Sequence, residues 1–102
     1  MTMIGRRTAL LALATLAARP ARAADPLRVG YQKNGSLVIL RRQGTLDGVF
    51  ARWGMPVTWV EFPAGPPLLE ALNAGAIDFG ATGDTPPIFA QAAGAALLYV
   101  GA

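Results

Sequence analysis

The 102-residue chain contains no histidine and no cysteine, so its ligand-facing chemistry must come from amides, hydroxyls, backbone groups and a few charges. That composition removes the usual zinc, iron–sulfur and haem sites, the Cys and His nucleophiles, and any disulfide framework. The remaining candidates gather in two loops, Gln32-Lys33-Asn34-Gly35-Ser36 and Thr82-Gly83-Asp84-Thr85, each between apolar runs. Gln32 and Asn34 offer amide donors, and Ser36 and Thr85 offer hydroxyls. A helix beginning at such a loop adds unpaired backbone N–H groups and a partial positive charge, which favours an anion. Each residue also has a purely structural role open to it. Ser36 and Thr85 are good helix caps, Gly35 and Gly83 suit tight turns, and Lys33 suits solvent. Asp84 is awkward for an anion; it caps the helix or pairs with a ligand amine. Glu61 and Glu70 show no acid/base spacing. Trp53 and Trp59 read as packing residues, and Arg41-Arg42 as a solvated helix face. No glycine-rich nucleotide fingerprint, phosphate loop or nucleophile elbow is present.

These loops need a scaffold, and the pattern supplies one. Leu27–Tyr31 reads as a strand, followed by a helix from Leu37 to Gln43 with Ser36 as its cap and Gly44 as its left-handed end. Thr45 is placed to cap a second helix through Leu46, Val49, Phe50 and Trp53. Val57–Phe62 is a β-branched and aromatic strand. Pro63-Ala64-Gly65 breaks it, and Pro66-Pro67 opens a helix over Leu68–Asn73 closed by Gly75. Ala76–Ala81 is a third strand, Ile88–Ala93 a small-residue helix, and Ala96–Val100 a fourth strand. Thr85 is expected to cap the last helix, because a residue before proline avoids helical geometry. The order predicts an α/β fold with a mostly parallel sheet flanked by helices. Ligands of such sheets sit beyond the carboxyl ends of the strands, where both loops fall.

The net charge of +3 does not mark a nucleic-acid-binding face. Arg6, Arg7, Arg19 and Arg22 all lie in the first 23 residues, and the rest has five cations against six carboxylates. Those 23 residues read as a cleavable export signal. Arg6-Arg7 ends a short basic region, and Ala9–Ala18 is an uncharged run of 10 residues, half of the roughly 20 needed for a membrane span. Ala21-Arg22-Ala23 places cleavage after Ala23. The arginine pair leaves Sec and twin-arginine export both open. No membrane span and no cofactor is expected. The remaining 79 residues are few for a parallel sheet covered on both faces, and the sequence stops at a predicted strand. The expectation is therefore the first piece of a larger protein.

Several long stretches are familiar: Leu27–Lys33, Trp59–Pro66, Leu68–Gly80, Thr82–Asp84, Pro87–Ala95 and Tyr99–Gly101. Together they resemble the aliphatic-sulfonate-binding proteins of ABC importers, within the sulfonate, nitrate and taurine solute-binding group. The resemblance implies a periplasmic-binding-protein-like (type II) fold whose two lobes close on a ligand. Residues 24–102 would form an incomplete first lobe. It implies periplasmic capture of an alkanesulfonate or taurine-like organic anion for sulfur acquisition, without chemistry. Delivery would go to an ABC permease and its ATPase subunit. The ligand contacts it implies are Gln32, Asn34, Gly35, Ser36, Gly83, Asp84 and Thr85. The chain departs from the family pattern by an extra Asn in the first loop and by the Gly44-Thr45 break in the first helix. Fold alone does not fix function. A periplasmic enzyme of the dehydratase or thiamine-precursor type, and an extracytoplasmic ligand-sensing module, are the alternatives.

Overall fold

Apolar strand runs separated by capped helical runs give, in the computed structural model, three parallel strands with helices on both faces. The structure describes residues 25–102; the export signal read at residues 1–23 lies outside them. The elements are β1 (Leu27–Gln32), α1 (Leu37–Gln43), α2 (Thr45–Ala51), β2 (Val57–Phe62), α3 (Gly65–Asn73), β3 (Phe79–Gly80) and α4 (Thr85–Ala92). The sheet order is β2-β1-β3, so the first strand is central. Leu27 through Gln32 pair in step with Val57 through Phe62, and Val29-Gly30 pair with Phe79-Gly80.

Strand alternation sends the two faces of β1 to different helices. Val29 and Tyr31, both buried, share one face with their register partners Trp59 and Glu61. Helices α1 and α2 cover it. The Trp59 indole N–H donates to Asp47 of α2 at 3.2 and 3.3 Å, and its ring stands edge-on to Tyr31 with centroids 5.9 Å apart. The Arg41 guanidinium lies 5.1 Å over the Tyr31 ring. Trp59 thus packs as expected. Trp53 does not: it is 71% exposed and meets Phe50 edge-on beyond the end of α2.

The other face carries Gly30 and Gly80 side by side in register. A Cβ on either would come within 2.6 Å of a core side chain, Ile77 for Gly30 and Leu68 for Gly80. Both glycines therefore permit close approach, and α3 uses it to seat the fully buried Leu68 on the sheet. Leu68, Leu69 and Ile77 form the core there, with Val60, Phe62, Leu72, Ala90 and Leu97 against them.

Four expectations need correction. β3 has two residues instead of the six from Ala76 to Ala81. Asp78 explains this, because its carboxylate accepts the Arg28 backbone N–H at 2.8 Å while its own N–H donates to the Arg28 carbonyl at 2.8 Å. A side chain has taken the place of a strand carbonyl, and the ladder cannot start earlier. Ala96–Val100 is not a strand. A strand needs a paired edge, and this segment pairs with none: Leu98, Tyr99 and Val100 stand exposed while Leu97 packs on the core. Thr45 does not cap α2; Gly44, left-handed at φ 67°, ends α1 and begins α2 at once. Thr85 is the first residue of α4 and Asp84 its cap. Prolines in a helix's first turn lose no intrahelical bond, so Pro86 and Pro87 fit there.

The Arg28–Asp78 pair closes with side-chain bonds of 3.2 and 2.9 Å. Those bonds, with the Arg28 N–H, hold the Asp78 carboxyl below its ordinary value and hold the guanidinium above its own. A depressed carboxyl contributes stability above its unfolded value and loses it as pH falls through the lower folded value. Wild type is therefore expected to lose stability on acidification below about pH 4, with Arg28 still charged. Asp78→Asn should flatten that acid limb of a Tm-against-pH series, and an unchanged limb would refute the assignment.

Candidate functional site

All three strands run in one direction, so their carboxyl ends form one edge. β1 ends at Gln32, whose amide Nε2 donates to the Ala81 carbonyl just past β3 at 3.4 Å. That contact ties the first candidate loop to the stem of the second. β2 ends beside it at Phe62. Between the ends of β1 and β2 lies an open cavity of about 450 Å³, lined by Gln32, Lys33, Asn34, Glu61, Phe62 and Pro63.

The loop after β1 is a tight turn, with the Gly35 N–H donating to the Gln32 carbonyl at 3.0 Å. Ser36 already has helical geometry (φ −59°, ψ −30°), and its hydroxyl makes no capping bond. Asp84 is likewise helical, with no side-chain capping bond. The capping role that sequence allows Ser36, Asp84 and Thr85 is therefore not used. Ser36 is exposed, as are Gly83, Asp84 and Thr85. The Thr82 hydroxyl instead donates to the Gly83 carbonyl at 2.9 Å.

Charge at the cavity is arranged around Glu61. Its carboxylate accepts from the Tyr31 hydroxyl at 3.3 Å and pairs with the Lys33 ammonium at 3.4 Å. Lys33, expected to be a solvated loop charge, is 79% exposed but is directed to this carboxylate. Glu70 is not among the residues that line this cavity. Among the described residues, no cluster of three or more acidic side chains is placed to hold a metal ion.

Of the seven sequence-predicted contacts, Gln32 and Asn34 line the cavity. Gly35 and Ser36 continue the same loop, and Gly83, Asp84 and Thr85 sit on the adjacent loop outside the lining. Buried Gly65, at the start of α3, packs against the second of these loops: a Cβ there would lie 2.6 Å from Pro86 and 3.4 Å from Thr82. Sequence reasoning missed Glu61 and Phe62 as cavity walls. The signal available was register, since both are the last residues of a strand parallel to β1.

No protein-family model matches the chain. An aliphatic sulfonates-binding protein of Escherichia coli strain K12 is 50% identical over 93 residues, covering 90% of this chain and 28% of that protein. One from Bacillus subtilis strain 168 is 42% identical over 69 residues, covering 67% and 21%. The crystal structure of the periplasmic aliphatic sulphonate binding protein SsuA from Escherichia coli matches with a TM-score of 0.66 and 53% identity, over 76% of this chain and 25% of that one. The alkanesulfonate-binding protein SsuA from Xanthomonas axonopodis pv. citri, bound to MOPS, matches with a TM-score of 0.68 and 59% identity, over 80% and 28%. The chain thus spans about a quarter of the length of these relatives. Over that span it is similar to them in both sequence and fold, which is the periplasmic-binding-protein-like α/β architecture read from the sequence.

Proposed function

We propose that this chain, similar in sequence and fold to about a quarter of the aliphatic-sulfonate-binding proteins, is part of the substrate-binding component of an ABC importer. Residues 1–23 act as an export signal removed after Ala23, by the Sec or the twin-arginine route, and place the protein in the periplasm. Residues 24–102 form the beginning of its first lobe. Its ligands are aliphatic sulfonates or related small organic anions, taken up as a sulfur source and passed to a permease and its ATPase subunit. Among the described residues, no helix is long and apolar enough to cross a membrane.

The observation that carries this reading is the cavity at the carboxyl edge, on a scaffold that matches sulfonate-binding proteins at more than half identity. Gln32 and Asn34 supply neutral donors there, and Ser36 and Thr85 supply hydroxyls not engaged in capping. Gly35 and Gly83 belong to the same two turns, and Asp84 stands at the start of α4 beside the second. Neutral donors suit a permanent anion, because hydrogen bonds to an acceptor that stays ionised are charge-assisted. The role is capture, with lobe closure excluding water from the ligand. Isothermal titration of the full-length protein carrying this sequence is expected to show saturable binding of alkanesulfonates. No response to alkanesulfonates or taurine would overturn the substrate assignment, and binding of nitrate in their place would redirect it.

A further inference from the structure

The candidate cavity is lined by one cation and one anion, Lys33 and Glu61, and each is the other's partner. They are not held equally. Glu61 sits on β2, in register with Tyr31 of β1, and accepts the Tyr31 hydroxyl at 3.3 Å. Lys33 sits on the turn after β1, and its side chain is 79% exposed against 42% for Glu61. The carboxylate is the fixed member and the ammonium the mobile one. Asp84, a second carboxylate near this edge, lies outside the cavity lining.

A ligand with one negative charge enters a site whose own charges already cancel. If it draws Lys33 to itself, it leaves Glu61 facing the cavity without a cation. Removing water from that carboxylate is unfavourable. A ligand with both a sulfonate and an ammonium avoids this, because each charge replaces one half of the pair and the site stays neutral. Its carbon spacer meets Phe62 and Pro63, the apolar part of the same lining.

The geometry points to Lys33–Glu61 as a charge-selecting pair that makes this site prefer zwitterionic aminoalkanesulfonates to plain alkanesulfonates. The inference rests on the sulfonate-binding reading and names the ligand class within it. Taurine and ethanesulfonate share a two-carbon sulfonate and differ in the terminal ammonium, so they isolate the effect. Titration of the full-length protein at neutral pH and low salt is expected to give taurine an advantage of about 5- to 20-fold. Glu61→Gln should abolish or reverse that preference by weakening taurine while leaving ethanesulfonate as tight or tighter. Lys33→Gln, on an exposed turn, should widen it, since an unpaired Glu61 repels ethanesulfonate and still attracts the ammonium. Equal affinities in the wild type, or a preference that survives Glu61→Gln, would overturn the inference with sulfonate binding intact. Binding of neither ligand would overturn the sulfonate reading, and this inference with it.

Discussion

Leu68→Ala is expected to destabilise the fold by about 2–5 kcal/mol, in the upper half of that range. Leu68 is fully buried, and the surface beneath it is the backbone of Gly30 and Gly80. Flexible side chains can lean into a cavity, but paired strands cannot, so the space left by the isobutyl group stays open. The loss would also loosen α3, whose Leu68 and Leu69 pack with Ile77 to form the core cluster. Urea denaturation of the wild-type and variant proteins reads the effect as a shift in midpoint at unchanged slope. A loss below about 1 kcal/mol would mean that α3 does not sit on the two glycines as described.

The second large effect is expected at Gly65. A methyl group there would stand 2.6 and 3.0 Å from two Pro86 ring carbons and 3.4 Å from Thr82. Gly65→Ala must therefore push α4 and the Thr82–Thr85 loop away from the start of α3. Overpacking of this kind costs about 1–3 kcal/mol. Displacing one of the two loops proposed to meet the ligand should also weaken ligand binding by roughly tenfold. Pro86→Ala removes the ring carbon that makes the closest contact. The double variant should then recover stability and affinity together. If Gly65→Ala weakens binding and Pro86→Ala does not restore it, the contact between these loops is not what sets the site.

Legibility differed by element for physical reasons. β1, β2, the opening of α3 and the end of α1 were readable because each rests on local chemistry. Pro66-Pro67 opens α3, and Gly44 takes the left-handed conformation that ends α1. β3 was misread because its length depends on Asp78 intercepting an N–H 50 residues away. The expected strand at Ala96–Val100 has the right composition, but a strand also requires an edge to pair with. The caps were misread because Ser36 and Asp84 already follow helical backbone, which leaves their side chains out of capping.

The candidate site divides along the same line. Sequence alone placed two polar loops at the carboxyl ends of parallel strands, and long consecutive stretches pointed to sulfonate-binding relatives. Turn chemistry, capping and identity along the chain are local properties, and a sequence carries them directly. The tertiary structure decided that Glu61 and Phe62 wall the cavity beside Gln32 and Asn34. It also turned Lys33 from a solvent charge into the partner of a held carboxylate. Both outcomes depend on the register between β1 and β2, and register is set by how the sheet packs against its helices.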